Sequence, residues 1–182
     1  MTFFGLKRGG AGPSLLIILL VTLTTLGLAG AAAGASYESL YSCFPDLPGW
    51  QGQAPTGVNA DMAGGKMVTA QKKYTKGDQQ ITAIIIKGQH AMAAVPAEKT
   101  EPMDVDMPEE RMKFGKIDGF NVHQVYDKKG RSGSINVALE TTAGSGGGMV
   151  FIFHFQGLDG DEALKLAKSF DWAKMKQKAK GI

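Results

Sequence analysis

The side chains best suited to bind a metal lie within one segment of 23 residues. The segment supplies one imidazole and four thioethers, from His90, Met92, Met103, Met107 and Met112. Soft thioether and imidazole ligands suit Cu(I), so one interpretation is copper handling. The other is that these methionines pack against the fold, because the spacing lacks the short Met-x-Met or His-x-x-Met repeats of a copper-binding tract. We expect no metal and no cofactor, with His90, Met92, Met103 and Met107 as the candidate ligands if copper does bind.

The sequence offers no set of catalytic side chains. His123 and His154 fall within predicted strands and could be neighbours across a sheet, but a lone histidine in a strand is more often structural. Asp104 and Asp106 lack the glycine and the terminal glutamate of a calcium loop. The glycine-rich stretch AGSGGG lacks the lysine and Ser/Thr of a phosphate loop, and no serine lies in a nucleophile elbow. We therefore expect a protein that is not an enzyme.

Cys43 is the only cysteine, which excludes a disulfide within one chain. It could carry a lipid, react as a free thiol, pair between chains or lie buried. A lipid-bearing cysteine should directly follow an apolar leader, whereas polar SYES intervenes here and bulky Tyr41 stands where a small residue is expected. Tyr37, Leu40, Tyr41 and Phe44 recur at three- and four-residue spacing, as on one face of a short helix. We predict that Cys43 lies on or near that face, in the core.

Residues 1–35 have the three-part pattern of a secretory signal peptide. A basic start precedes an uncharged apolar run, LLIILLVTLTTLGL, and a tail of small residues, AGAAAGA. We predict cleavage after Ala35, which leaves residues 36–182 as a single exported domain, periplasmic or secreted. The alternative is an inner-membrane anchor formed by residues 13–35, because this uncharged stretch is long enough to cross a bilayer of roughly 30 Å.

The charge of the predicted domain argues against nucleic-acid binding. The formal net charge of the chain is +3, but Lys7 and Arg8 belong to the leader, and the balance without them is +1. A nucleic-acid partner requires a basic footprint, which a near-neutral domain lacks. The C-terminal segment 174–182 is a local exception, with four lysines and no acidic residue. It could touch anionic lipid head groups, or it could be a helix end in water.

Alternating side chains predict an antiparallel sheet. KMVTAQKKYT and QQITAIIIKG, around the turn KGD at 76–78, predict a hairpin. Residues 114–125 offer two short strands with Gly119 at the turn between them. SINVALET and MVFIFHF predict two further strands, and the second places its methionine and phenylalanines on one face. The glycine-rich stretch 51–65 is expected to be a loop, part of which could pair as an irregular strand.

Three helices are predicted to pack on this sheet. They are a short one at 37–44, a short middle one within GQHAMAAVPAEK, and a C-terminal one capped by Asp159 or Asp161. Residues 88–110 contain prolines and acidic side chains and are expected to form an exposed connecting segment. The fold class that follows is α+β, an antiparallel sheet of about five to six strands with N-terminal, short middle and C-terminal helices packed on it.

A resemblance supports this fold. FPDLPGW, KMVTAQKKYTKGDQQITAIIIKG, GKIDGFNVHQVYD, MVFIFHF and LKLAKSFDWAKM together resemble a family of small exported bacterial proteins and lipoproteins of unknown function, with an LPGW motif. The arrangement is also similar to the PsbP/Mog1-like α+β sandwich. The resemblance implies the fold and an envelope location, and it implies no activity. This chain departs from the lipoprotein members because Cys43 lies inside the first predicted helix and not at the end of the leader.

These observations predict a non-enzymatic binding or accessory domain of the cell envelope. The expected partner is an envelope protein or a small ligand, and not a nucleic acid. Membrane contact could come from an uncleaved leader or from the lysine-rich C-terminus. Two alternatives stay open: periplasmic copper handling through the Met/His segment, and a membrane-tethered structural protein.

Overall fold

The structure is a computed structural model that describes residues 36–62, 65–89, 91, 101–141, 147–180 and 182. The predicted leader, residues 1–35, lies outside the described residues. Within the described part the chain forms a 3₁₀ helix (Tyr37–Cys43), strands β1 (Gln51–Gly52), β2 (Thr56–Met62), β3 (Gly65–Lys76), β4 (Gln79–Gly88), β5 (Met103–Asp106), β6 (Glu110–Ile117), β7 (Phe120–Asp127), β8 (Ser132–Glu140) and β9 (Gly148–Gln156), and helices α1 (Gly160–Ala167) and α2 (Trp172–Ala179). None of the helices described is long and apolar enough to span a bilayer.

All nine described strands belong to one antiparallel sheet. Their order is β1-β3-β4-β9-β8-β7-β6-β5, and β2 pairs with β3 on the same edge as β1. The chain thus forms the β3–β4 hairpin, then a meander from β5 to β8. β9 closes the sheet by pairing between β4 and β8.

The predicted α+β fold class, with about five to six strands and three packed helices, is wrong. The described part of the chain is mostly β, with nine strands and three short helices. β2 runs through sequence expected to be a loop, and β5 lies within the segment 88–110 expected to be a connection. Both are at sheet edges and bury few side chains, so no apolar alternation marks them as strands. The predicted middle helix lies almost entirely outside the described residues.

The predicted hairpins are confirmed. β3 and β4 pair up to the turn at Gly77 and Asp78. β6 and β7 pair up to the turn at Asp118 and Gly119, which have φ values of 51° and 84°. Two consecutive residues of positive φ are the mark of a type I′ turn, whose twist matches that of the flanking strands.

The main core lies between one face of the sheet and the helices. Met149, Phe151, Phe153 and Phe155 of β9 share this face, as predicted, and all four are buried. Phe170, between α1 and α2, places its ring centroid 5.1 Å from that of Phe151 and 5.7 Å from that of Phe153. Aromatic side chains remove the largest apolar areas from water, so this cluster contributes strongly to stability.

The C-terminal region forms two helices, whereas the sequence predicts one. Asp159 caps α1, as one of the two predicted caps, by accepting hydrogen bonds from the backbone N–H groups of Asp161 and Glu162. Asp171 caps α2 in the same way through the N–H of Lys174. The break between the helices directs both Phe170 and Trp172 into the core.

Three polar contacts hold the N-terminal 3₁₀ helix and the two residues Pro45 and Asp46 that follow it, two of them from β3 and one from α2. The Tyr74 hydroxyl donates to the Pro45 carbonyl oxygen at 2.8 Å, and the Lys72 ammonium donates to the Asp46 carboxylate at 2.9 Å. The Lys174 ammonium of α2 donates to the Ser42 carbonyl oxygen at 3.1 Å. The short helix predicted at this position is therefore fixed to both the sheet and α2.

Cys43 lies in the core, as predicted, with 4% of its surface exposed. Burial raises the pKa of the Cys43 thiol, and the nearby Lys174 and Lys178 only partly oppose this effect. Because the thiolate is the reactive form, a buried thiol of raised pKa should be inert.

We expect the native protein to react with Ellman's reagent at pH 7.5 only as fast as the fold opens. The thiol should react at once, with one equivalent, after unfolding in urea. The measurement is the absorbance change of the purified protein in both conditions. Immediate stoichiometric labelling of the native protein would contradict the buried placement of Cys43.

Candidate binding cleft

A cleft runs beside α1 on the core face of the sheet. α1 packs against β7 and β8, so the neighbouring strands β5 and β6 extend past it and form the other wall. The register brings Asp104, Lys113 and Gln124 into line across β5, β6 and β7 on this face. The cleft has an apolar end and a charged end, and Lys113 and Gln124 line both.

The apolar end is a crevice of about 380 Å³ centred on β6. Its apolar walls come from Ile117, Val122 and Leu164, with Met103 at the edge. Gly115 lies opposite Val122 on the face that points into the cleft. A Cβ atom at Gly115 would meet nothing within 4 Å, so the missing side chain leaves this space open.

The charged end has a volume of about 620 Å³ and carries both signs of charge. Its cations are Arg111, Lys113, Lys128 and Lys165, and its acidic side chains are Asp159, Asp161 and Glu162. Two of the basic side chains come from β6, one from the turn after β7 and one from α1. The acidic ones come from the first turn of α1 and its cap.

Two of these cations are held tightly by acidic residues of β5. Arg111 donates from Nε and Nη2 to the two carboxylate oxygens of Asp104, at 3.0 and 2.8 Å. Lys128 donates to Asp106 and, at 2.7 Å, to the Met107 carbonyl oxygen. These hydrogen bonds lower the pKa values of both aspartates below their usual range. Both cations therefore already have close anionic partners.

Lys113 differs from these two cations. Its ammonium lies 3.8 Å from the Asp161 carboxylate, beyond hydrogen-bond distance. A contact of this length between partly exposed groups contributes little free energy. Among the sheet cations of the cleft, Lys113 is therefore the one best placed to bind an anionic group.

Gln124 of β7 forms the floor of the cleft and joins it to α1. Gln124 is 6% exposed, and its side-chain amide donates to the Gly160 carbonyl oxygen at 2.7 Å. A Cβ atom at Gly160 would lie 2.8 Å from that amide nitrogen, so glycine permits this close approach of α1 to β7. The contact fixes the start of α1 on the sheet and forms the cleft before any ligand binds.

The candidate copper ligands are not gathered into a site by the described residues. Met103 and Met107 are 43% and 39% exposed at the two ends of β5, and Met112 is half-buried on β6. His90 and Met92 lie outside the described residues. Within the described ranges, no three His, Cys, Asp or Glu side chains are grouped so that they could hold a metal ion.

His123 and His154 share the opposite face of the sheet but are not adjacent. β8 separates them, with Asn136 opposite His123 and Ser134 opposite His154. Partial burial lowers the pKa values of both histidines, so both are neutral at pH 7. The prediction that they could be neighbours is therefore wrong, because strand β8 lies between them.

The sequence patterns do not predict the cleft. Leu164 is only half-buried and lines the apolar end. The one available signal was Gly115, because a glycine inside a strand often marks a place where a ligand or another backbone approaches.

Comparisons of the chain with protein-family models, with curated proteins and with solved structures found no match. The resemblance to the LPGW-containing exported family thus stays a prediction.

Proposed function

We propose that this protein is an exported, non-enzymatic binding domain of the cell envelope and that its ligand occupies the cleft beside α1. The observation that supports this proposal is that an apolar crevice and a charged groove meet at Lys113, which lines both. Ligand sites are typically concavities of roughly 300–1,000 Å³, with apolar walls and a few placed polar groups. The cleft has this size and this composition.

The arrangement favours an anionic amphiphile. An apolar chain would lie along Gly115, Ile117 and Leu164, where it would cover surface that water now contacts. Its anionic head would meet the Lys113 ammonium at a shorter distance than Asp161 does, which strengthens the attraction. The hydrophobic contribution is about 25 cal/mol for each Å² of apolar surface covered.

Filling the crevice should weaken binding strongly without harming the fold. We expect Gly115→Val to weaken binding of dodecanoate at least about tenfold, because the new side chain occupies the space of the ligand. The thermal unfolding temperature should stay the same or rise, since valine suits strands and its Cβ atom meets nothing within 4 Å there. Isothermal titration calorimetry with sodium dodecanoate, below its micellar concentration, measures the affinity.

Lys116→Val is the matched control, because Lys116 is the next residue of β6 and points to the opposite face. It should leave the affinity unchanged, and Lys113→Gln should weaken binding of dodecanoate more than binding of dodecanol. Equal affinities of the wild-type protein and Gly115→Val would refute the cleft as the binding site. Absence of any binding to the wild-type protein would refute the amphiphile as ligand.

A further inference from the structure

The exposed surface of α2 carries only one sign of charge. Trp172 and Met175 are buried against the core. The remaining surface of the helix and its C-cap presents the lysine face, which consists of Lys174, Lys176, Lys178 and Lys180. The nearby acidic side chain, Asp171, is the N-cap of the same helix.

The lysine face lies beside the C-terminal end of the 3₁₀ helix. Lys174 contacts Ser42 directly, and Lys178 is close enough to influence the Cys43 thiol. The 3₁₀ helix that contains Ser42 starts after Ser36 and, with seven residues, is about 14 Å long at about 2 Å per residue. By sequence, the apolar leader ends at Ala35.

Two lysines of this region make contacts with other side chains. Lys168 lies 3.2 Å from the carboxylate of Asp118, so it is not counted with the lysine face. Lys176 lies over the Phe120 ring at 6.0 Å, a contact that leaves its charge in place. Within the described residues, no ion pair neutralises the four lysines of this face.

We propose that the lysine face of α2 binds anionic phospholipid head groups and orients the domain on a membrane. The four exposed lysines complement the negative charge of an anionic bilayer. Each lysine near an anionic surface strengthens binding roughly fivefold. This inference is independent of the cleft, which lies on the other side of α1.

The test compares two variants with the same change in net charge. Lys176, Lys178 and Lys180 are replaced by glutamine in one, and Lys66, Lys73 and Lys129 in the other. The control lysines lie on β3 and in the β7–β8 turn. Lys174 is kept in both because it donates to Ser42. The full protein is purified from cells that export it. It is then sedimented with vesicles of phosphatidylcholine alone or of phosphatidylcholine with about 30% phosphatidylglycerol.

The quantity measured is the ratio of binding to anionic over neutral vesicles, which removes any contribution of a retained leader. The wild-type and control variants should prefer anionic vesicles, and the lysine-face variant should lose on the order of a hundredfold of that preference. Added salt should reduce the preference of the wild type. Equal losses in both variants, or no preference in the wild type, would overturn the proposal. Binding to DNA without binding to anionic vesicles would also overturn it, in favour of a nucleic acid.

Discussion

Replacing Phe170 by alanine is expected to lower the free energy of unfolding by about 3–5 kcal/mol. The Phe170 side chain is 1% exposed and meets three aromatic rings, those of Phe151, Phe153 and Tyr74. The ring also holds the junction between α1 and α2 against the sheet. Its removal leaves a cavity that these rigid neighbours cannot close, which adds to the lost apolar burial.

Urea unfolding of the purified protein, followed by tryptophan fluorescence, measures this loss. Because natural domains have total stabilities of about 5–15 kcal/mol, the variant should lose a large share of its stability. Ser169→Ala is the matched control, since Ser169 is the exposed neighbour and its change should shift stability by less than about 0.5 kcal/mol. A loss below about 1 kcal/mol for Phe170→Ala would contradict its central place in the core.

Gly133→Ala is expected to cost about 3 kcal/mol, at the upper end of the usual range for overpacking. Gly133 of β8 lies between Tyr126 of β7 and Phe155 of β9 in the register. The rings of these two residues stack across it, with centroids 6.1 Å apart. A Cβ atom would overlap the Val125 carbonyl oxygen and lie 2.9 Å from Phe155 Cζ. Since backbone cannot move aside as a side chain can, the strand pairing itself would be strained.

The same substitution at Gly115 should have the opposite effect. Gly115→Ala adds a methyl group on the same face of the sheet, two strands away, with no atom within 4 Å. We expect it to raise stability by about 0.5–1 kcal/mol, because alanine loses less chain entropy on folding than glycine does. Parallel urea titrations of both variants test the packing around two glycines. Equal effects at the two positions would show that one of the local geometries is wrong.

The strands that could be predicted from sequence are those with large buried side chains. β3, β4, β8 and β9 alternate apolar residues against the core, and their pattern reveals both the strand and its inward face. Cys43 could be placed correctly for the same reason, because Leu40 and Phe44 mark the buried side of its helix. Local patterns of burial determine such elements.

β2 and β5 could not be predicted because their partners, and not their own side chains, make them strands. β2 follows the exposed edge of β3 over seven residue pairs, and β5 is acidic and exposed. The break before α2 was also missed, although Asp171 is a strong helix cap. The apolar stripe continues across the break, since Phe170 and Trp172 are both buried, and it conceals the end of α1.

The cleft was beyond prediction for a further reason. It exists because a side chain is missing at Gly115 and because Gln124 and Gly160 fix the separation of α1 from β6. These residues are far apart in the chain, and each alone has an ordinary structural explanation. Only the register of β5, β6 and β7 brings Lys113 to the junction of an apolar and a charged surface.

The most direct test of the proposed binding function is to map the contact surface of dodecanoate by NMR on the isotopically labelled protein. The account predicts that the backbone signals of Gly115 and Val122, and the methyl signals of Ile117 and Leu164, shift progressively as dodecanoate is added. Signals of α2 and of the β3–β4 hairpin should stay in place. Shifts confined to the lysine face of α2, or no shifts at all, would contradict the assignment of the cleft as the ligand site.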